Sequence, residues 1–157
     1  MNLNFKRLLD QTGLKILNAL QENARISFSA LGRDIALSSP AVIDRVRKME
    51  QAGIITGYHA HVAPDKVGFP VTAFILVTTR PEHYPRILTI ANTTPEILEC
   101  HHVSGEESFV MKVVAASVVM LETCIEQFNS YGQTKTLIVL SSPVAKAKLT
   151  LSEEKAS

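Results

Sequence analysis

A mixed α+β protein is predicted for this chain of 157 residues: a three-helix head followed by a unit of order βαββαβ. Three observations predict it. Apolar residues recur at helical spacing from Leu14 to Met49; Gly57, Pro64, Gly68 and Pro70 break up the stretch that follows; and beyond it strand-like apolar runs alternate with helical stripes. The expected divisions are a head over 1–55, a connector with a short strand over 56–70, and a sheet domain over 71–157.

The first helix carries Leu14, Ile16, Leu17 and Leu20 on one face, with Thr12 as its candidate cap. In the second, Phe28, Leu31 and Ile35 form the stripe, and Gly32 beside them is small enough to let another helix cross closely. Leu37 closes the next turn, a serine at 38 or 39 caps the third helix, and Pro40 sits where a missing N–H costs nothing. Val42, Val46 and Met49 then face the core, and Gly53 ends the helix. Two helices joined by a tight turn are a helix-turn-helix. The outer face of the third helix holds Ser38, Ser39, Pro40, Ala41, Ile43 and Asp44 beside the cations Arg45, Arg47 and Lys48. Small and polar groups suit base edges and cations suit phosphate, so double-stranded DNA is the expected partner. Charge runs the same way: residues 1–55 hold 8 Lys and Arg against 5 Asp and Glu, leaving 8 against 10 for the remainder.

Tyr58–Val62 alternates like a strand within the connector. Strands are expected at Val71–Thr79, Ile97–Val103, Ser108–Ala115 and Thr134–Ser141, and helices at His83–Asn92 and Val118–Phe128. Such an order folds as a four-stranded antiparallel sheet with both helices on one face, the ferredoxin-like arrangement. VTAFILV, SFVMKVVA and TLIVL are apolar at almost every position, so a second copy is expected to cover the other face and make a homodimer. The tail LTLSEEKAS is expected to be loose at its end.

Several functions are disfavoured. No apolar run approaches the roughly 20 residues that span a bilayer, and the opening MNLNFKRLLDQTG lacks the layout of a secretory signal; a cytoplasmic protein with no membrane partner is expected. Cys100 and Cys124 read as small buried side chains and not as a bridge. No phosphate loop, dinucleotide fingerprint, nucleophile elbow or catalytically spaced carboxylate pair is present, so neither enzymatic activity nor a cofactor is expected. His59 with His61, and Cys100 with His101 and His102, are the best metal candidates; strand alternation turns His101 away from its neighbours, and no metal site is expected.

Over nearly its whole length the chain resembles the Lrp/AsnC transcription regulators. The resemblance is carried by LDQTGLKILNALQENARIS, LGRDIALSSPAVIDRVRKMEQAGII, GYHAHVAPDKVGFPV and VSGEESFVMKVV. It implies a DNA-binding head, a sheet domain that dimerises and often forms an octamer of four dimers, and an amino acid or similar small effector bound between dimers. The implied pocket lies around Gly105, Glu106, Glu107 and Ser108 and the start of the last strand, at Gln133, Thr134 and Thr136. Three departures stand out: Gly13 replaces the usual Asp of the opening helix, Ala36 the usual turn glycine, and Ser108 the usual Asp of a Gly-x-x-Asp turn. Serine supplies no counter-charge for an ammonium group, so a weakened or altered preference for free amino acids is expected, with Asp at 108 restoring it and Glu106 or Glu107 as the alternative source of the carboxylate. Two other readings fit the sequence: an architectural protein that wraps DNA with little effector control, and a metabolite-sensing assembly module whose head contacts protein.

Overall fold

A computed structural model describes residues 7–145 and 148–151. It divides into two compact units, one holding the described residues up to Ala60 with those from Val144 onward, the other His61–Pro143. The described residues from Val144 onward, expected with the sheet domain, thus group with the head.

Among the described residues the head's delimited helices are α1 Gln11–Glu22, α2 Phe28–Asp34 and α3 Ser39–Gln51. Each begins on a side chain that satisfies a free backbone amide. Ser27 accepts from the Ala30 N–H and Ser38 from that of Ala41, at 3.2 and 3.4 Å. The cap of α1 is Asp10, which accepts from the Gly13 N–H at 2.8 Å; Thr12, the expected cap, lies inside the first turn. Ile16, Leu17, Leu20, Leu31, Val42, Val46 and Met49 close into one core. The helical stripes are therefore all used, Ile35 half-buried as the residue that ends α2.

Gly32 admits a different neighbour from the one expected. A Cβ there would stand 2.5 Å from the Leu37 carbonyl oxygen, and the Leu37 N–H donates to the Gly32 carbonyl at 2.8 Å. It is the chain's own turn that closes over α2. That turn passes through Ala36 at φ 57°, in the left-handed region where an L side chain is strained. Gly13 is equally confined, a Cβ there falling 1.8 Å from the Leu8 carbonyl oxygen, so the usual Asp could not stand there without moving the backbone. After α3 the chain reverses through Gly53 at φ 69°, and the Ile54 N–H returns to the Met49 carbonyl.

The strand expected at Tyr58–Val62 does not form. A strand needs a ladder, and no partner strand is offered to it among the described residues. Tyr58 instead donates its hydroxyl to Glu50 at 2.9 Å, where burial and then the carboxylate push its pKa up to about 12. At the far end of the chain, the Leu149 N–H donates to Gln21 Oε1 and Gln21 Nε2 donates to the Leu149 carbonyl, at 2.8 and 3.2 Å, while Leu151 packs on the head core. The start of the tail is thus held; its final residues, 152–157, lie outside the described residues.

The second unit contains β1 Val71–Thr79, α4 Tyr84–Thr93, β2 Ile97–His102, β3 Phe109–Ala115, α5 Val118–Glu126 and β4 Gly132–Ile138. Its sheet is antiparallel with order β2-β3-β1-β4, the ferredoxin-like topology expected. Ile75, Val77, Met111 and Val113 pack with Ile87, Leu121 and Phe128 of the helical layer. β4 starts and stops earlier than expected because its pairing follows β1, Gly132 lying opposite Thr79 and Ile138 opposite Ala73. The open face is less apolar than expected. Phe74, Leu76, Val110 and Leu137 share it with Lys112 and Lys135, which the register places beside Phe74 and Leu76.

Candidate functional site

On α3 the helical period separates two kinds of residue. Val42, Val46 and Met49 are buried, while Pro40, Ile43, Asp44, Arg47 and Lys48 are exposed and Ser39 and Ala41 half-exposed. Ser38 is the cap, with its hydroxyl committed to the backbone. Among the described residues Arg47 makes no ion pair, whereas Lys48 bridges to Asp44 one turn back at 2.6 Å. Both members of that pair are exposed, so the bridge is weak and easily exchanged for another partner.

Arg45 departs from expectation. Its two terminal nitrogens donate to both carboxylate oxygens of Asp10, at 2.8 and 2.9 Å, so it braces α3 against the start of α1. The reason is positional: Arg45 lies three residues after Val42 and four before Met49, on the flank of the buried stripe. The guanidinium beside Asp10 holds its carboxyl below the usual carboxylate range, aided by the Gly13 N–H and opposed by burial. Asp10 was not singled out from the sequence, although an Asp immediately before a helical stripe is a cap signal. Arg7 was also missed. With Arg45, Lys48 and Gln51 it lines an open groove of about 700 Å³ along the flank of α3.

In the sheet unit, Gly105 turns the β2–β3 loop at φ 132° with open space beside it. Glu106 is exposed and Glu107 half-exposed. Ser108 is buried, and its hydroxyl is closed on β1: it accepts from the Thr79 N–H at 3.2 Å and donates to the Thr79 carbonyl at 3.0 Å. It therefore fastens the loop to the sheet and offers no free hydroxyl hydrogen to a ligand.

Gln133, Thr134 and Thr136 do not converge. Thr134 and Thr136 lie opposite Val77 and Ile75, which are buried beneath the helices, whereas Gln133 lies opposite Thr78 on the other face. Strand alternation makes this unavoidable. Gln133 instead lines a hollow of about 410 Å³ with Arg80, His83 and Tyr131, where β1 leaves the sheet and β4 enters it. Sequence reasoning missed Arg80, His83 and Tyr131, since only the β1–β4 pairing brings them to Gln133.

The histidines and cysteines make no convergent donor set. His101 pairs with Glu99, which also accepts from Lys112, and these two hydrogen bonds hold the Glu99 carboxyl below its usual range. Among the described residues no group of three metal-ligating side chains comes together. Cys100 and Cys124 are free thiols, and burial raises the pKa of each, that of Cys124 to about 11.

A capped helix-turn-helix with a polar outer face, in series with a ferredoxin-like unit bearing a ligand-sized hollow, defines a class of two-part DNA-binding proteins. Residues 9–56 match the winged helix-turn-helix DNA-binding family and residues 72–149 the Lrp/AsnC ligand binding domain. The HTH-type transcriptional regulator YezC of Bacillus subtilis is 42% identical over 134 residues, covering 85% of this chain and 95% of its own. The structure of B. subtilis LrpC aligns with a TM-score of 0.82 at 34% identity, over 89% of this chain and 99% of that one. A transcriptional regulator from Neisseria meningitidis, crystallised as its L-methionine complex, aligns at 0.83 with 26% identity, over 90% and 96%. The chain belongs to the Lrp/AsnC family of transcriptional regulators.

Proposed function

We propose that this protein is a sequence-specific transcription regulator that enters the major groove with α3 and responds to an amino acid or a related small metabolite. The observation that carries the reading is the exposed stripe of α3, where Ile43 and Arg47 stand in solvent next to Ser39 and Ala41 over a fully formed core. Arg47 and, on release from Asp44, Lys48 neutralise phosphate, while Ser39, Ala41, Ile43 and Asp44 lie toward base edges. Arg45 keeps the helix in place. The effector site is assigned to the Gly105–Ser108 loop and the adjoining hollow at Gln133, which is of a size for a small metabolite.

A second copy covers the open sheet face. Phe74, Leu76, Val110 and Leu137 give it an apolar centre, and assembly beyond the dimer, up to four dimers, brings effector loops together. Two-fold symmetry then relates two half-sites about one helical turn, or a multiple of it, apart. The test is selection of duplexes from a random library followed by binding across salt concentrations. A regulator selects a pseudo-palindromic site and loses affinity along a straight log–log line. A head that contacts protein gives no enriched duplex, and an architectural protein gives salt-dependent binding without a consensus. Sedimentation of a stable monomer at micromolar concentration would contradict the dimer.

A further inference from the structure

The hollow between the ends of β1 and β4 has donors on its walls and no carboxylate. Arg80 supplies the cationic side, while His83, Thr78, Asn129 and Gln133 supply further polar groups. Glu82 approaches Arg80 and His83 only loosely: its Oε1 lies 3.9 Å from the Arg80 guanidinium and 3.7 Å from His83 Nε2. With the Arg80 side chain 83% exposed, that pairing is readily given up to a ligand.

Tyr131 is fixed as the aromatic wall. Its carbonyl accepts from the Thr79 hydroxyl, and its phenol oxygen accepts from Arg86 Nε at 3.1 Å. The Arg86 guanidinium also lies over its ring at 5.6 Å, and the His83 ring meets it edge-on at 5.8 Å. Because the phenol oxygen is already an acceptor toward Arg86, its own hydrogen is left to donate.

An α-ammonium group finds little in this environment. The Ser108 hydroxyl and the Thr79 carbonyl are closed on each other, and Glu106 meets the rim through its carbonyl, accepting from the Thr78 hydroxyl at 3.4 Å. The side-chain amides of Asn129 and Gln133 serve either group, but only a carboxylate finds a counter-charge, the Arg80 guanidinium.

The geometry points to a ligand class: the hollow takes small organic acids through their carboxylate, with Arg80 as the counter-charge, and does not need the α-ammonium group, so a 2-oxo acid binds at least as tightly as the amino acid of the same side chain. This deepens, and rests on, the reading of the sheet unit as the ligand-binding domain.

The experiment is calorimetry on the full chain with matched pairs: pyruvate and alanine, 4-methyl-2-oxopentanoate and leucine, phenylpyruvate and phenylalanine, 2-oxoglutarate and glutamate. The matching amines are titrated as controls, up to concentrations on the order of 10 mM. At least one oxo acid is expected to bind as tightly as its amino partner or more tightly, with no binding by the amines. Arg80→Gln is expected to weaken that oxo acid about tenfold, the loss of one charge-assisted contact, while the melting temperature and duplex affinity stay unchanged. Amino acids that bind where their oxo acids do not would overturn the proposal and leave the ligand-binding reading standing. Silence from the whole panel would overturn both. An oxo acid whose affinity is indifferent to Arg80→Gln would remove the hollow as its site.

Discussion

The head and the sheet unit brace themselves with different chemistry. In the head a charge pair does it: Asp10 takes both terminal nitrogens of Arg45, and Arg47, two positions further on the same helix, remains in solvent. In the sheet unit neutral hydroxyls do it: Ser108 closes on both backbone groups of Thr79, and the Thr79 hydroxyl closes on the Tyr131 carbonyl. Hydroxyls make such ties without burying a charge, which leaves the cations Arg80 and Arg86 for the hollow and its wall. The polar residues of such a protein sort accordingly. A charged side chain held by two good hydrogen bonds inside the fold is structural, and the one beside it without a partner among the described residues is the candidate for function.

The largest effect is expected at Ser108. Ser108→Ala leaves a backbone N–H and a carbonyl of Thr79 without that partner, and should cost about 2 kcal/mol of sheet-unit stability in denaturant unfolding. Ser108→Asp should cost at least as much, since it places a carboxylate against the Thr79 carbonyl in a nearly closed site. An unchanged midpoint in both variants would break the claim that hydroxyls brace this unit.

Next comes Asp10, which is both the cap of α1 and the partner of Arg45. Asp10→Ala should cost about 1–2 kcal/mol, most of it the cap because the ion pair is partly exposed. Asp10→Asn keeps a capping oxygen and should cost less. Folding lowers the Asp10 pKa, so the carboxylate's contribution is complete above its ordinary value near 3.8 and is lost as pH falls through the lowered folded value. The stability gap between wild type and Asp10→Asn should accordingly close in acid.

A smaller effect, of opposite sign, is expected at the turn. Ala36→Gly relieves a left-handed backbone and should raise head stability by about 1 kcal/mol, measured as a shift in denaturant midpoint at constant slope. A loss there would mean that the strain is taken up elsewhere in the turn.

Legibility in the sequence divides along the same line. The head core could be read directly because helix packing follows a local period: Leu31, Val42, Val46 and Met49 lie where the stripes put them. The order of the sheet elements was legible for the same reason. What escaped was set by contacts distant in sequence. Asp10 and Arg45 are 35 residues apart, and Ser108 and Thr79 are 29 apart. The β1–β4 register that separates Gln133 from Thr134 and Thr136, and joins it to Arg80 and Tyr131, has no local signature. The Tyr58–Val62 alternation shows the reverse case, a local pattern with no ladder to complete it among the described residues.

The central claim, that α3 separates a bracing arginine from a DNA-contacting one, is tested most directly by the salt dependence of duplex binding for Arg47→Ala and Arg45→Ala, each with its melting temperature. Arg47→Ala is expected to melt like wild type, to bind all duplexes more weakly, and to reduce the log–log salt slope by about one unit. Arg45→Ala is expected to melt lower and to keep the slope. A slope that falls for Arg45→Ala and stays unchanged for a folded Arg47→Ala would contradict the account.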